Sequence, residues 1–206
     1  MNKSILYTAV FGDDINVLDK SKENISDGCD FASFTSLKED RFTARKMKLL
    51  PHRYFNSYKY SIWTDGNIQI TQDIVPIVER YMEKGKIVVL TYPDEPHNHY
   101  REGEICVEFG KDIKENVNPQ LERYRREGCP PLSTVWTGII IRRHNDPEVI
   151  KFDELWWNEV CIGSVRDQIS FPYVAWKLGV EYVTVKNEGW DGEWFKYFNH
   201  FIKEEE

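Results

Sequence analysis

Tyr60-Ser61-Ile62-Trp63-Thr64-Asp65-Gly66-Asn67-Ile68-Gln69-Ile70 carries the pattern that decides the fold. An apolar, β-type run stops at Asp65-Gly66-Asn67 and resumes at Ile68 and Ile70. Asp-Gly is a turn signal, and a glycine there lets the backbone come close to a ligand. A carboxylate that closes a buried strand is costly unless it is hydrogen-bonded, paired or bound to a metal. Two readings fit. In one, a hairpin forms and Asp65 and Asn67 bond only their own turn. In the other, the turn is a metal–diphosphate site at the carboxyl edge of a parallel sheet, where open α/β folds bind ligands.

On either side, strand-like and helix-like segments alternate. Strands are expected over 4–10, 31–35, 60–64, 87–92, 135–142 and 181–185. Helices are expected over 41–50, 73–84, 103–114, 119–127, 147–160 and 166–178. The first strand runs into the polar turn Phe11-Gly12-Asp13-Asp14, and Asp73 is placed to cap its helix. Gly138 is unusual inside a strand and signals the close approach of a ligand or another backbone. Such alternation favours a mainly parallel α/β sheet. There is no internal repeat or low-complexity linker, so 1–206 is read as a single domain.

Composition narrows the function. The chain has 206 residues, 41% hydrophobic and 14% aromatic, enough to bury a real core. Its net charge of -7 makes nucleic acid a poor partner. Basic residues nevertheless gather at Arg41, Arg45, Lys46, Lys48, His52 and Arg53, a place for a small anion. The first residues turn polar too soon for a secretory signal, and no apolar run reaches membrane-spanning length. Cys29, Cys106, Cys129 and Cys161 are scattered without metal-type spacing, which points to a reduced, cytoplasmic setting.

Several longer motifs stand in order along the chain. One is Arg45-Lys46-Met47-Lys48-Leu49-Leu50-Pro51-His52-Arg53-Tyr54-Phe55, which leads to Trp63-Thr64-Asp65-Gly66-Asn67. Another is Leu155-Trp156-Trp157-Asn158-Glu159-Val160, followed by Ser164-Val165-Arg166-Asp167-Gln168-Ile169-Ser170-Phe171-Pro172-Tyr173. Together they resemble a glycosyltransferase-like family of plants and bacteria, long catalogued as a domain of unknown function. Its plant members are tied to cell-wall mucilage and turgor regulation. The resemblance implies a glycosyltransferase-A-type fold, a Rossmann-like α/β/α sandwich with a mainly parallel mixed central sheet. It implies a nucleotide-sugar donor, a carbohydrate-type acceptor, and a place in polysaccharide or surface-glycan synthesis. The surroundings of Asp65 are also similar to glycogenin-like transferases, whose metal motif is Asp-x-Asp. Asn67 replaces the second acid here, and an amide is a weaker ligand for the Mn²⁺ or Mg²⁺ that the resemblance implies.

On this reading Asp65 and Asn67 hold the metal, and Arg45, Lys48, Gly66 and Gly138 complete the donor site. Arg45 and Lys48 are three apart and share a helix face, although such spacing alone equally describes solvated charges. Asp167 is expected as the general base, or else as a carboxylate binding the acceptor or sugar hydroxyls, with Arg166 holding its charge or touching the donor phosphate. The rival reading of Ser164 to Asp167 is a capping box, with Ser164 as N-cap and Asp167 at N3. Trp136, Glu159 and His99 are candidates for the sugar or acceptor, each with a packing role as its plain alternative. Trp190, Trp194 and His200 are weaker candidates near the end of the chain.

Two other functions compete with transfer. A non-catalytic module would keep the donor cleft without turnover, which Asn67 keeps open. A nucleotidyltransferase shares the layout but usually carries a glycine-rich basic loop after its first strand, and Phe11-Gly12-Asp13-Asp14 lacks one.

Overall fold

The computed structural model describes residues 3–11, 21–36, 41–92, 97–186 and 191–198. The Gly12-Asp13-Asp14 turn, Trp190 and His200 lie outside them.

Six strands form one sheet in the order β2-β1-β3-β6-β5-β7. They are β1 (Ser4–Phe11), β2 (Cys29–Ser36), β3 (Tyr60–Thr64), β5 (Ile87–Thr91), β6 (Val135–Arg142) and β7 (Val183–Val185). β1 runs parallel to β2 and β3, and β5 runs parallel to β7. Only β6 is reversed, antiparallel to β3 on one side and to β5 on the other. The first residues of β6 therefore lie at the edge where the parallel strands end. All five residues of β3 and all eight of β6 are buried, as expected of central strands covered on both faces.

Alternate residues feed two cores. Ile5, Tyr7, Trp63 and Val89 face helices α1 (Arg41–Leu49), α3 (His99–Glu108), α4 (Lys114–Arg126), α5 (Pro147–Ile162) and α6 (Asp167–Leu178). Leu6, Ile62, Val88 and Ile141 face α2 (Ile74–Met82) and a small second sheet of β4 (Ile68–Ile70) and β8 (Phe195–Tyr197). The result is a mixed α/β sandwich: the alternation anticipated a mainly parallel α/β sheet, and the family resemblance implied the sandwich.

β4 does not pair with β3. The Ile68 amide donates to the Asp65 carbonyl at 3.0 Å, so a turn forms, but β4 leaves to pair with β8 in the other layer. The hairpin reading of the opening stretch is thereby replaced. Gly66 is required at this turn because a Cβ would lie 2.5 Å from Val10 Cγ2 of β1.

Two helix boundaries also differ. α3 begins at His99, well before the expected start, because the Asn98 side chain accepts from the Tyr100 and Arg101 amides and caps it. Gly103, taken as a helix start, lies inside α3 where Leu121 and Val117 leave no room for a Cβ. α4 runs through Pro119, since its buried Val117, Gln120, Leu121 and Tyr124 hold the helix despite the lost backbone donor. Asp73 caps α2 as expected, accepting from the Val75 amide.

Among the described residues, no helix is long and apolar enough to cross a membrane.

Candidate functional site

Lys48 is the hub of the candidate site. It sits in the last turn of α1, and its side chain turns back along the helix toward the carboxyl edge of the sheet. The ammonium lies 3.3 Å from Asp65 Oδ1, 3.2 Å from Thr137 Oγ1 and 2.8 Å from Asp167 Oδ2. An ammonium has three donors, and these three oxygens use all of them. The stem of Lys48 passes the Trp63 ring, 5.7 Å from the charge. Thr137 closes the network by donating to Asp167 Oδ2 at 3.1 Å.

A local irregularity of β6 aims Thr137 inward. Leu90 pairs with Trp136 while Val89 pairs with Ile140, so the residues between form a bulge. Bulges re-aim side chains and break strict alternation. Gly138 sits in this bulge and gives its carbonyl to the Asp65 amide at 2.8 Å. The space a Cβ would take is filled by Trp136 and Ile68, at 2.8 and 3.0 Å. Packing therefore accounts for this glycine, which was expected in the donor site. Trp136 is buried against Phe195 and Tyr197 on the far side of the sheet, so its ring is not presented as a sugar platform.

Asp167 opens α6, but no capping box forms. The helix begins at Asp167 itself, and Ser164 Oγ accepts from the Arg166 amide while donating to Asp112 at 2.5 Å. Gln120 and Asp112 strap the preceding loop through the Ser164 and Val165 amides. Trp156 binds the Asp167 carbonyl through its indole N–H at 3.0 Å. The carboxylate is thus free of capping duty and turns to cations: Lys48 on Oδ2, and Arg45 Nε 3.4 Å from Oδ1. Burial alone would raise its pKa. The charges of Arg45, Lys48 and Arg166 outweigh that and hold the carboxyl well below the ordinary range. Burial pulls the Lys48 ammonium below its ordinary value, with Asp167 and Asp65 opposing.

This geometry bears on two expected roles. A general base must reach the acceptor proton and have a pKa suited to accept it. Asp167 is 1% exposed, and its two oxygens face Lys48 and Arg45, an arrangement suited to organising cations. Lys48, equally sealed, holds the two carboxylates and has no donor left for a diphosphate. Arg45 is less enclosed, 19% exposed, and reaches Val165 O at 3.3 Å as well as Asp167.

Asp65 is the open member of the cluster. Its side chain is 33% exposed, and Oδ1 accepts from Lys48 and from the Trp63 indole at 2.7 Å. Trp63 and Asp65 stand two apart on a strand and project to one side, which lets the indole reach the carboxylate. No hydrogen bond is made to Asp65 Oδ2 among the described residues. Asn67 is nearly buried, and its Nδ2 donates to Phe198 O at 2.9 Å, which leaves Oδ1 as its spare ligand atom. One carboxylate oxygen and one amide oxygen suit a hard divalent cation that takes its other oxygens from a diphosphate and water. They do not make a self-sufficient metal centre, and no cluster of three or more His, Cys, Asp or Glu ligands occurs among the described residues.

The remaining candidates are not drawn into this cluster. Arg166 is the N-cap residue of α6 and donates to Gln168 Oε1 at 2.9 Å. Glu159 is 2% exposed, with Arg123 on both oxygens and Tyr124 Oη 2.7 Å from Oε2, so its carboxylate is engaged inside the protein. His99 is fully buried against Leu132 and Cys129, and burial lowers its pKa. His52 and Arg53 leave the basic cluster to pair with Glu154. Trp194 is buried, with its ring edge-on to Phe195. Thr137 and Trp63 were missed in the sequence, although each lay one or two residues from a glycine or acid already singled out.

Comparison with known proteins places this geometry. The profile of the TOD1/MUCI70, glycosyltransferase-like domain matches residues 33–197. The chain is 30% identical over 158 residues to a probable hexosyltransferase MUCI70 of Arabidopsis thaliana, covering 69% of this chain and 26% of that protein. It is 28% identical over 147 residues to the alkaline ceramidase TOD1 of the same plant, covering 62% of this chain and 30% of that one. It therefore spans under a third of the length of either relative. The fold is similar to that of a glycosyltransferase involved in the glycosylation of the major capsid of PBCV-1. That likeness has a TM-score of 0.53 at 12% identity and covers 89% of this chain and 81% of the other. The domain match takes in Lys48, Asp65, Thr137 and Asp167 together, and by it the chain belongs to the TOD1/MUCI70 glycosyltransferase-like domain family.

Proposed function

We propose that this chain transfers a hexosyl group from a nucleoside diphosphate sugar to a carbohydrate-type hydroxyl, with Asp65 at the donor's diphosphate. Asp65 itself carries the reading. It is a carboxylate at the carboxyl end of a sheet strand, with one oxygen pinned by Trp63 and Lys48 and the other open. Membership in a glycosyltransferase-like family supports it, as does the hexosyltransferase name of one relative. Polysaccharide or surface-glycan assembly is the setting proposed.

A divalent cation held by Asp65 Oδ2 and Asn67 Oδ1 would supply charge neutralisation to a departing diphosphate. The chain's own residues do the rest. Lys48 holds the Asp65 and Asp167 carboxylates in place, so no reorganisation is needed when the donor arrives. Arg45, the most exposed cation of the cluster, reaches a phosphate oxygen from beside Asp167. Thr137 and Trp63 hold the carboxylates in single orientations, which is positional work of the kind transfer requires.

A thermal-shift screen of UDP, GDP and ADP and their sugars, with and without Mn²⁺, tests the proposal. A ligand bound only by the folded state adds about 2.7 kcal/mol at a hundred times its Kd, which raises the melting temperature. A Mn²⁺-dependent rise with one nucleotide is expected. No rise with any of them would overturn the assignment.

A further inference from the structure

Arg142, the last residue of β6, is a fully buried cation with three separate partners. Its guanidinium meets Asp153 Oδ1 of α5 at 2.9 Å, Tyr7 Oη of β1 at 2.8 Å and the Lys48 carbonyl at 2.5 Å. Tyr7 Oη donates to that same carbonyl at 3.0 Å. Arg142 and Asp153 are both 0% exposed. A buried ion pair seldom adds net stability, because removing two charges from water offsets their attraction. This pair is not even fully satisfied: Arg142 Nε and Asp153 Oδ2 have no hydrogen-bond partner among the described residues. Apolar residues of similar volume in place of such a pair are often no less stable.

The Lys48 carbonyl gives a reason for keeping the charge. It lies in the last turn of α1, where carbonyls lack intrahelical donors and the helix end is partially negative. A cation there both satisfies the carbonyl and opposes that partial charge. Lys48 is consequently fixed at two points, its carbonyl by Arg142 and Tyr7 and its ammonium by Asp65, Thr137 and Asp167. Between them runs a flexible four-carbon stem, which delivers the ammonium to one position only if its root is fixed.

We infer that Arg142, held by Asp153 and assisted by Tyr7, is a positioning residue for Lys48: it sets the main chain from which the ammonium reaches Asp65 and Asp167. Its bearing on donor binding rests on the glycosyl-transfer reading above, but its effect on Lys48 does not.

Competitive acetylation of the lysines, read by mass spectrometry, measures that effect directly, because a sealed and paired ammonium reacts slowly. Two variants are compared with the parent chain. Arg142→Met with Asp153→Leu removes both charges at similar volume. Arg142→Lys keeps a charge against Asp153 but loses the fork that serves several acceptors. With near-ultraviolet circular dichroism unchanged, Lys48 acetylation relative to exposed Lys46 should rise about ten-fold in the double variant, and by less in Arg142→Lys. UDP with Mn²⁺, titrated into the same proteins, should bind more weakly in that order. Lys48 protection unchanged in the folded variants overturns the inference, and Arg142→Lys decides alone if the double variant does not fold. If the parent chain binds no nucleotide, the glycosyl-transfer reading fails while the acetylation result still stands.

Discussion

Lys48 Nζ lies 2.8 Å from Asp167 Oδ2, and both side chains are 1% exposed. In so dry a place either charge alone is far costlier than the pair. Lys48→Met should therefore destabilise the fold by about 3–5 kcal/mol, the usual cost of orphaning a buried partner. Adding Asp167→Leu should recover most of that loss, since it removes the orphan. Urea unfolding of the two variants checks this. Equal losses in both would mean that the orphaned charge of Asp167 is not what costs the stability.

Asp65 should behave in the opposite way. It is one-third exposed, and asparagine is isosteric with it and can still accept from Trp63. Asp65→Asn should cost no more than about 1 kcal/mol of stability, as for other partly exposed pairs. Its effect belongs to binding. Calorimetric titration with the nucleotide and Mn²⁺ that give the largest thermal shift should show affinity down by ten- to a hundred-fold, about one charge-assisted contact. Undiminished affinity would put the diphosphate elsewhere.

The contrast between these two acids shows what the sequence made legible. Asp65 could be located because its strand, its turn and its glycine are contiguous. Strands β3 and β6 ran between the residues expected, because central strands buried on both faces leave unbroken apolar runs. Asp167 could be picked out as special, but its role could not. Next to Ser164 it fits a capping box, and only the fold shows that Ser164 is engaged by Asp112 while Asp167 turns to Lys48. Nothing local predicts that α1 and α6 meet over Thr137. The burial of Glu159 and His99 was equally hidden, since their partners come from α4 and from the loop before β6. The hairpin reading failed for a related reason: the partner of β4 is β8, near the other end of the described chain.

Gly138 is explained by contacts that can be tested by adding one methyl group. An alanine Cβ would press on the Trp136 ring at 2.8 Å and on Ile68 Cδ1 at 3.0 Å. The Ile68 methyl can rotate away, but the indole is wedged among Phe195 and Tyr197 and cannot. Gly138→Ala should cost about 1–3 kcal/mol, typical of overpacking. A change in tryptophan fluorescence should accompany it. Thermal unfolding at the parent temperature would show that the bulge has room to spare.

His144 gives the fold a defined acid sensitivity. It is fully buried, its Nε2 donates to Phe55 O at 2.8 Å, and its Nδ1 has no hydrogen-bond partner among the described residues. Burial, together with the nearby charges of Arg142 and His52, pushes its pKa down from 6.5 to about 4. The unfolded chain therefore takes up the proton first as pH falls. Stability from this group is complete above pH 6.5, declines as pH drops through the interval to about 4, and changes no further below it. The full loss is about 3 kcal/mol, since each tenfold change in proton affinity is worth about 1.4 kcal/mol. Acidic side chains elsewhere add their own acid losses, so the difference between two proteins is the informative quantity. Glutamine keeps a donor for Phe55 but cannot titrate. Urea unfolding at half-unit pH steps should show a shallower decline for His144→Gln than for the parent chain between those two values. Parallel declines would mean that the folded protein accommodates a charged imidazole at this position.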